Sequence, residues 1–144
     1  MQKKKFGSIS PFHIYGSAES LPFKNSIFDH VVVSFGLRNF NDISESLKQI
    51  RRVLKKGGTF ICLEFSEANN PFFRKIIKAY FRAIPKLGLL FANNKFAYDY
   101  LIESILNFPN QIQLTKKLTR AGFKNIKVID IIGGVAAIHI SKKL

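Results

Sequence analysis

The apolar positions of this chain follow two periods, and the switches between them lay out its elements. Ile27 to Gly36 reads I-F-D-H-V-V-V-S-F-G, a β-branched run too apolar for a half-exposed strand, which predicts a strand inside a parallel sheet. From Asp42 the period becomes helical. Ile43, Leu47, Ile50 and Leu54 recur at helical spacing, Asp42 and Glu45 make a capping-box-like pair, and Lys55-Lys56-Gly57-Gly58 offers a cationic last turn and a glycine stop. Thr59 to Ser66, T-F-I-C-L-E-F-S, reads as a second buried strand, so residues 27–66 form a β-α-β unit with parallel strands and Cys62 in its core. Pro71 opens a longer helix through about Ile84. A second helical stretch runs from Ala97 to Leu106 before Pro109, and a third begins near Asn110, carries Ile112, Leu114 and Leu118, and closes at Gly122. Phe123 to Ile132 and Val135 to Ile140 read as strands joined by Gly133-Gly134, a two-residue link that favours an antiparallel hairpin. At the other end, Phe12 to Tyr15 reads as a short strand. A Gly16-Ser17-Ala18-Glu19 turn follows, then Leu21-Pro22-Phe23, where the proline resists regular structure. The expected fold is α/β, a mostly parallel sheet finishing in one antiparallel hairpin, with residues 1–144 as a single domain.

Composition supports a core and raises the question of partners. The chain has 144 residues, 47% of them hydrophobic and 13% aromatic, enough for one core and too few for two ordinary domains. Lysine and arginine total 23 against 9 acidic residues, a formal charge of +14. Such an excess suits an anionic partner or reflects a drift in overall composition rather than selection for a polyanion. The helix after Pro71 concentrates the question. Phe73, Ile76, Ile77, Tyr80, Phe81 and Ile84 fall along one broad side, while Arg74, Lys78 and Arg82 fall at i+4 steps on another. This is either an ordinary outer face over a core or a surface for anionic lipid headgroups, with peripheral membrane contact near residues 72–84. No nucleic-acid-binding signature accompanies the charge, so no nucleic acid is expected. A single cysteine, Cys62, excludes an intramolecular disulfide and fits a reducing, cytoplasmic setting. No window reaches the roughly 18 uninterrupted apolar residues of a spanning helix, and no apolar stretch follows the basic start.

Ligands of an open α/β sheet bind beyond the carboxyl ends of its strands, which directs attention to two short segments. After the first strand come Ser34, Phe35, Gly36, Leu37, Arg38 and Asn39, combining a hydroxyl, a flexible point, a permanent cation and an amide. The second strand holds Glu64 among apolar neighbours. A carboxylate there is costly to ionise unless paired, which is the environment of a general base or, equally, of a group satisfied by a helix N-terminus. Arg38 either grips a phenolate or carboxylate through its bidentate fork or braces Asp42 on the next helix. His13, His30 and His139 show no ligand spacing, and no metal site is indicated. No G-x-G-x-x-G occurs, and Gly57-Gly58 lacks the lysine and hydroxyl of a phosphate loop.

Several stretches together resemble one family. They are Ala18-Glu19-Ser20-Leu21-Pro22-Phe23, Phe28-Asp29, Ser34-Phe35-Gly36-Leu37-Arg38-Asn39, Arg52-Val53-Leu54-Lys55-Lys56-Gly57-Gly58 and Leu63-Glu64-Phe65-Ser66. Tyr98, Tyr100-Leu101, Ser104-Ile105, Phe108-Pro109 and Ala121-Gly122-Phe123 continue in order. The pattern is similar to the ubiquinone/menaquinone biosynthesis C-methyltransferase family, over roughly residues 12–144, with S-F-G-L-R-N its specific part. The resemblance implies a Rossmann-like fold and methyl transfer from S-adenosyl-L-methionine to a ring carbon of a polyprenylated quinol precursor. It would put Ser17 and Ala18 against the adenine end of the cofactor and Ser34 beneath its methionine part, although the family more often carries Asn or Asp at position 17. It would make Arg38 the catalytic contact on the ring hydroxyl and Glu64 the acceptor of the ring proton. The family's opening strand, glycine-rich loop and acid-ended second strand have no counterpart in this sequence. Only a dozen residues precede the first matching strand, against about 30 for a β-α-β unit. The expectation is therefore an N-terminally truncated fold that binds S-adenosyl-L-methionine weakly or not at all alone and tends to associate, as a homo-oligomer for example. The alternative is a non-catalytic remnant that serves as a membrane-surface or complex-binding module.

Overall fold

The structure, a computed structural model, describes residues 12–77, 79 and 95–144. Its centre is a four-stranded sheet of β1 (Phe28–Ser34), β2 (Leu54–Phe65), β3 (Lys124–Ile131) and β4 (Ala136–Lys142) in the order β1-β2-β4-β3. β1 and β2 run parallel with His30 opposite Thr59 and Ser34 opposite Leu63. Between them lies α1 (Ile43–Val53), so the β-α-β unit forms as the sequence predicts. β4 lies antiparallel between β2 and β3, with Phe65 and Ile131 both opposite Ala136. The remaining helices are α2, described over 71–77, α3 (Lys95–Leu106) and α4 (Gln111–Arg120). The expected extension of α2 to Ile84 lies outside the described residues.

One face of the sheet carries the core. Leu47 and Ile50 of α1, Leu114 and Leu118 of α4, and Phe60 and Cys62 of β2 pack with Leu37, Leu54 and Phe123 into one cluster. Along β2, residues 60, 62 and 64 are buried and their neighbours only half-buried. On β1, Val31 and Val33 face the cluster, while Val32 is 64% exposed. The two apolar strands are therefore covered on one side only among the described residues, and β1 is an edge strand rather than an interior one. A parallel sheet ordinarily has helices on both faces, which is why an alternation invisible in the sequence appears in the burial.

Four expectations are corrected. Phe12 to Tyr15 is not a strand, and Phe12, Ile14 and Tyr15 are exposed; the regular structure nearby is the Ser17–Ser20 turn. Lys55-Lys56-Gly57-Gly58 is not the last turn of α1. That helix ends at Val53 with Arg51 and Arg52, because buried Leu54 is extended (φ −70°, ψ 140°) and already pairs with Phe28. The four residues instead bulge out between the Phe28–Leu54 and His30–Thr59 pairs. Asp42 caps α1 by accepting from Ser44 and Glu45 N–H, but Glu45 does not reach back; the Asp42 N–H donates to Glu19. The hairpin link is longer than two residues, since Ile132–Gly134 forms a 3-10 turn and strand pairing resumes only at Ala136. At α4 the capping box is complete, with Asn110 and Gln113 exchanging bonds.

Candidate active site

The chain leaves β1 through a sharp reversal. Phe35 takes a left-handed φ of 50°, its N–H still donating to Leu63 O, and a single 3-10 turn, Leu37–Asn39, follows. Leu37 anchors that turn in the core, which carries Arg38 back over the end of β2. There the Arg38 guanidinium meets Glu64 at 2.7 Å, with the side chains 11% and 1% exposed. The same Nη1 donates to Phe35 O at 2.7 Å, and the guanidinium lies 5.3 Å over the Phe65 ring, which itself packs on Phe35. Glu64 is fully engaged: one oxygen accepts from Arg38 Nη1 and Phe65 N–H, the other from the Arg38 N–H. The reading of Glu64 as a carboxylate satisfied by the start of a helical turn is met by the Arg38 N–H, and its other bonds leave neither oxygen free to serve as a general base. Arg38 pairs with Glu64 rather than bracing Asp42.

A cavity of about 350 Å³ lies against Arg38. Much of its lining comes from α3, where Tyr100, Glu103 and Ser104, with Asn107 just past the helix, recur at i, i+3, i+4 and i+7 and so share one face. The Tyr100 hydroxyl donates to Asn39 Oδ1 at 3.1 Å, tying α3 to the turn that carries Arg38. Ile43 and Phe108 close the cavity with apolar surface. The polar face of α3 was not singled out from the sequence as a site; its signal is the helical spacing of polar residues in an otherwise apolar helix.

The other predicted residues are not brought to this cavity. Ser34 stands exposed at the carboxyl end of β1, its hydroxyl without a partner among the described residues. Exposed Ser17 and half-buried Ala18 belong to the Ser17–Ser20 turn. Ser17 donates its hydroxyl to Glu19, and that bond, followed by the Asp42 N–H, lowers the Glu19 carboxyl to about 2. As a fit for S-adenosyl-L-methionine, Ser34 offers a free hydroxyl where a ligand of such a sheet binds. Ser17 is already committed to Glu19, and none of the three lines the cavity at Arg38. Of the three, only Ser34 has an uncommitted polar side chain for such a ligand. Among the described residues no group of His, Cys, Asp or Glu is placed to hold a metal, and no helix is long and apolar enough to cross a membrane.

Comparison with known proteins agrees with this architecture. A demethylmenaquinone methyltransferase of Staphylococcus saprophyticus is 43% identical over 131 residues, covering 90% of this chain and 56% of its own length. A ubiquinone/menaquinone biosynthesis C-methyltransferase of Rickettsia bellii is 46% identical over 129 residues, covering 89% and 52%. The chain thus spans little more than half of these relatives. A solved structure from Thermotoga maritima, a SAM-dependent methyltransferase described as a possible histamine N-methyltransferase, matches with TM-score 0.64 at 20% identity. It covers 90% of this chain and 62% of its own, which shows the Rossmann-like fold. A family model matches residues 2–143, and on that match the chain belongs to the ubiE/COQ5 methyltransferase family.

Proposed function

We propose that this chain supplies the acceptor side of a C-methyltransferase that takes its methyl group from S-adenosyl-L-methionine and places it on a ring carbon of a polyprenylated quinol precursor. The observation that carries this reading is the Arg38–Glu64 pair beside a polar cavity beyond the strand ends. When bound, the cofactor supplies an activated methyl group, so the protein's part is alignment and charge placement. Arg38 donates to the ring hydroxyl oxygen and stabilises its anionic form, whose charge is shared with the adjacent ring carbon. The hydroxyl proton leaves to solvent before transfer and the proton of the methylated carbon after it; Glu64, with both oxygens occupied, is not their acceptor and instead acts through Arg38 by fixing its fork, while the Phe65 ring holds the guanidinium plane. Ser34 holds the methionine part of the cofactor, and Ser17 and Ala18 border its adenine.

The membrane side of the proposal concerns a substrate with a long apolar tail. Phe72, Phe73 and Ile76 are exposed on α2, and this basic helical segment would rest against anionic lipid as the tail is drawn from the bilayer.

The test is transfer of a labelled methyl group from S-adenosyl-L-methionine to the ring of a demethylated quinol. Arg38→Ala is expected to lower incorporation by about 100-fold or more; undiminished incorporation would overturn the role of Arg38. Titration calorimetry with S-adenosylhomocysteine is expected to show weak binding to this chain, and tight one-to-one binding would overturn that expectation.

A further inference from the structure

The cavity at Arg38 contains one carboxylate that the proposed chemistry has not used. Glu64 has no free carboxylate oxygen, whereas Glu103 lines the cavity, is exposed, and its carboxylate has no hydrogen-bond or ion-pair partner among the described residues. Its neighbours on the same helix face are mostly committed. Tyr100 donates to Asn39, and Ser104 donates to Leu101 O. The Asn107 carboxamide, like the Glu103 carboxylate, is without a partner among the described residues, the two residues being joined only through their backbones. The cavity lining therefore holds both a cation and an uncommitted acceptor. A phenol oxygen accepts from a cation while its hydrogen needs an acceptor, so the two together complement an aromatic diol.

We propose that Glu103 accepts the hydrogen bond of a ring hydroxyl and so selects the reduced, diol form of the acceptor over forms whose oxygens carry no hydrogen. This rests on the reading that the acceptor is a quinol. In the reduced ring a hydroxyl hydrogen meets Glu103, while in the oxidised or etherified ring a bare oxygen faces a carboxylate, an unpaired acceptor against an acceptor.

The experiment titrates the chain under reducing conditions with 1,4-dihydroxynaphthalene and, separately, with its dimethyl ether, which has the same ring but no donor hydrogen. The unmodified chain is expected to prefer the diol by about tenfold or more, the range of a hydrogen bond to a charged acceptor. Glu103→Gln is expected to lose most of that preference by weakening the diol, and Glu103→Asp to retain part of it. Both variants should melt as the unmodified chain does, since the Glu103 carboxylate is exposed and unbonded. A preference that persists in Glu103→Gln, or is absent from the unmodified chain, overturns the proposal. Failure of the methyl-transfer assay counts against the broader reading and leaves this titration unaffected, so the two failures are distinguishable.

Discussion

Arg38 and Glu64 show how much of a site one ion pair can hold. Glu64 is 1% exposed and its charge is matched by one guanidinium and two backbone N–H groups. Removing the cation alone leaves a buried carboxylate without its counter-ion, so Arg38→Ala is expected to destabilise the chain by about 3–5 kcal/mol. Replacing both charges, Arg38→Met with Glu64→Leu, is expected to recover most of that stability while abolishing methyl transfer. Urea denaturation of the single and double variants measures the difference. The sequence exposed both residues as candidates, because a cation and a carboxylate stood just beyond or within apolar strands. It left open whether they met each other, since their contact depends on the left-handed Phe35 and the 3-10 turn after it. Cys62 was legible as core, and burial pushes its thiol up to about 12. The folded chain is therefore expected to resist alkylation at neutral pH and to react once denatured, as mass spectrometry would show.

At the scale of elements, α4 and β4 are joined by an unusual buried polar contact. His139 of β4 is buried, with Nε2 3.2 Å from Gln111 O and Nδ1 unpartnered. Burial lowers its pKa below 6.5, against smaller upward pulls from the Gln111 carbonyl and Asp130. The unfolded chain then binds the proton first, so this contribution to stability is intact above about 6.5 and is lost as pH falls below it. The unfolding midpoint in urea is expected to drop between about pH 7.5 and about 5.5, and His139→Gln to flatten that part of the drop. Asn110 caps the same helix, and Asn110→Ala is expected to cost about 1 kcal/mol in the same measurement. The helices were readable here because caps and apolar spacing are local. The Lys55–Gly58 bulge was not, since it has the composition of a helix C-terminus and only the pairing of Leu54 with Phe28 excludes that assignment.

For the whole molecule, the one-sided cover of the sheet has the larger consequence. Val32 is exposed on an edge strand whose outer backbone groups meet no partner strand among the described residues, a surface prone to pair with another copy. Val32→Lys is expected to reduce self-association, measured as a shift to smaller species in size-exclusion chromatography with light scattering. The chain's own residues determined the alternation of helix and strand, the parallel β-α-β unit, the closing antiparallel hairpin and the segments where chemistry could sit, because periodicity, caps and glycines act over a few neighbours. Only the tertiary structure decided which strand faces are covered, that Glu64 is spent on Arg38, that Ser34 stands apart from the cavity, and that α3 brings Glu103 to the cavity that Arg38 lines. Those outcomes depend on contacts between residues far apart along the chain, and no local pattern records which of them will meet.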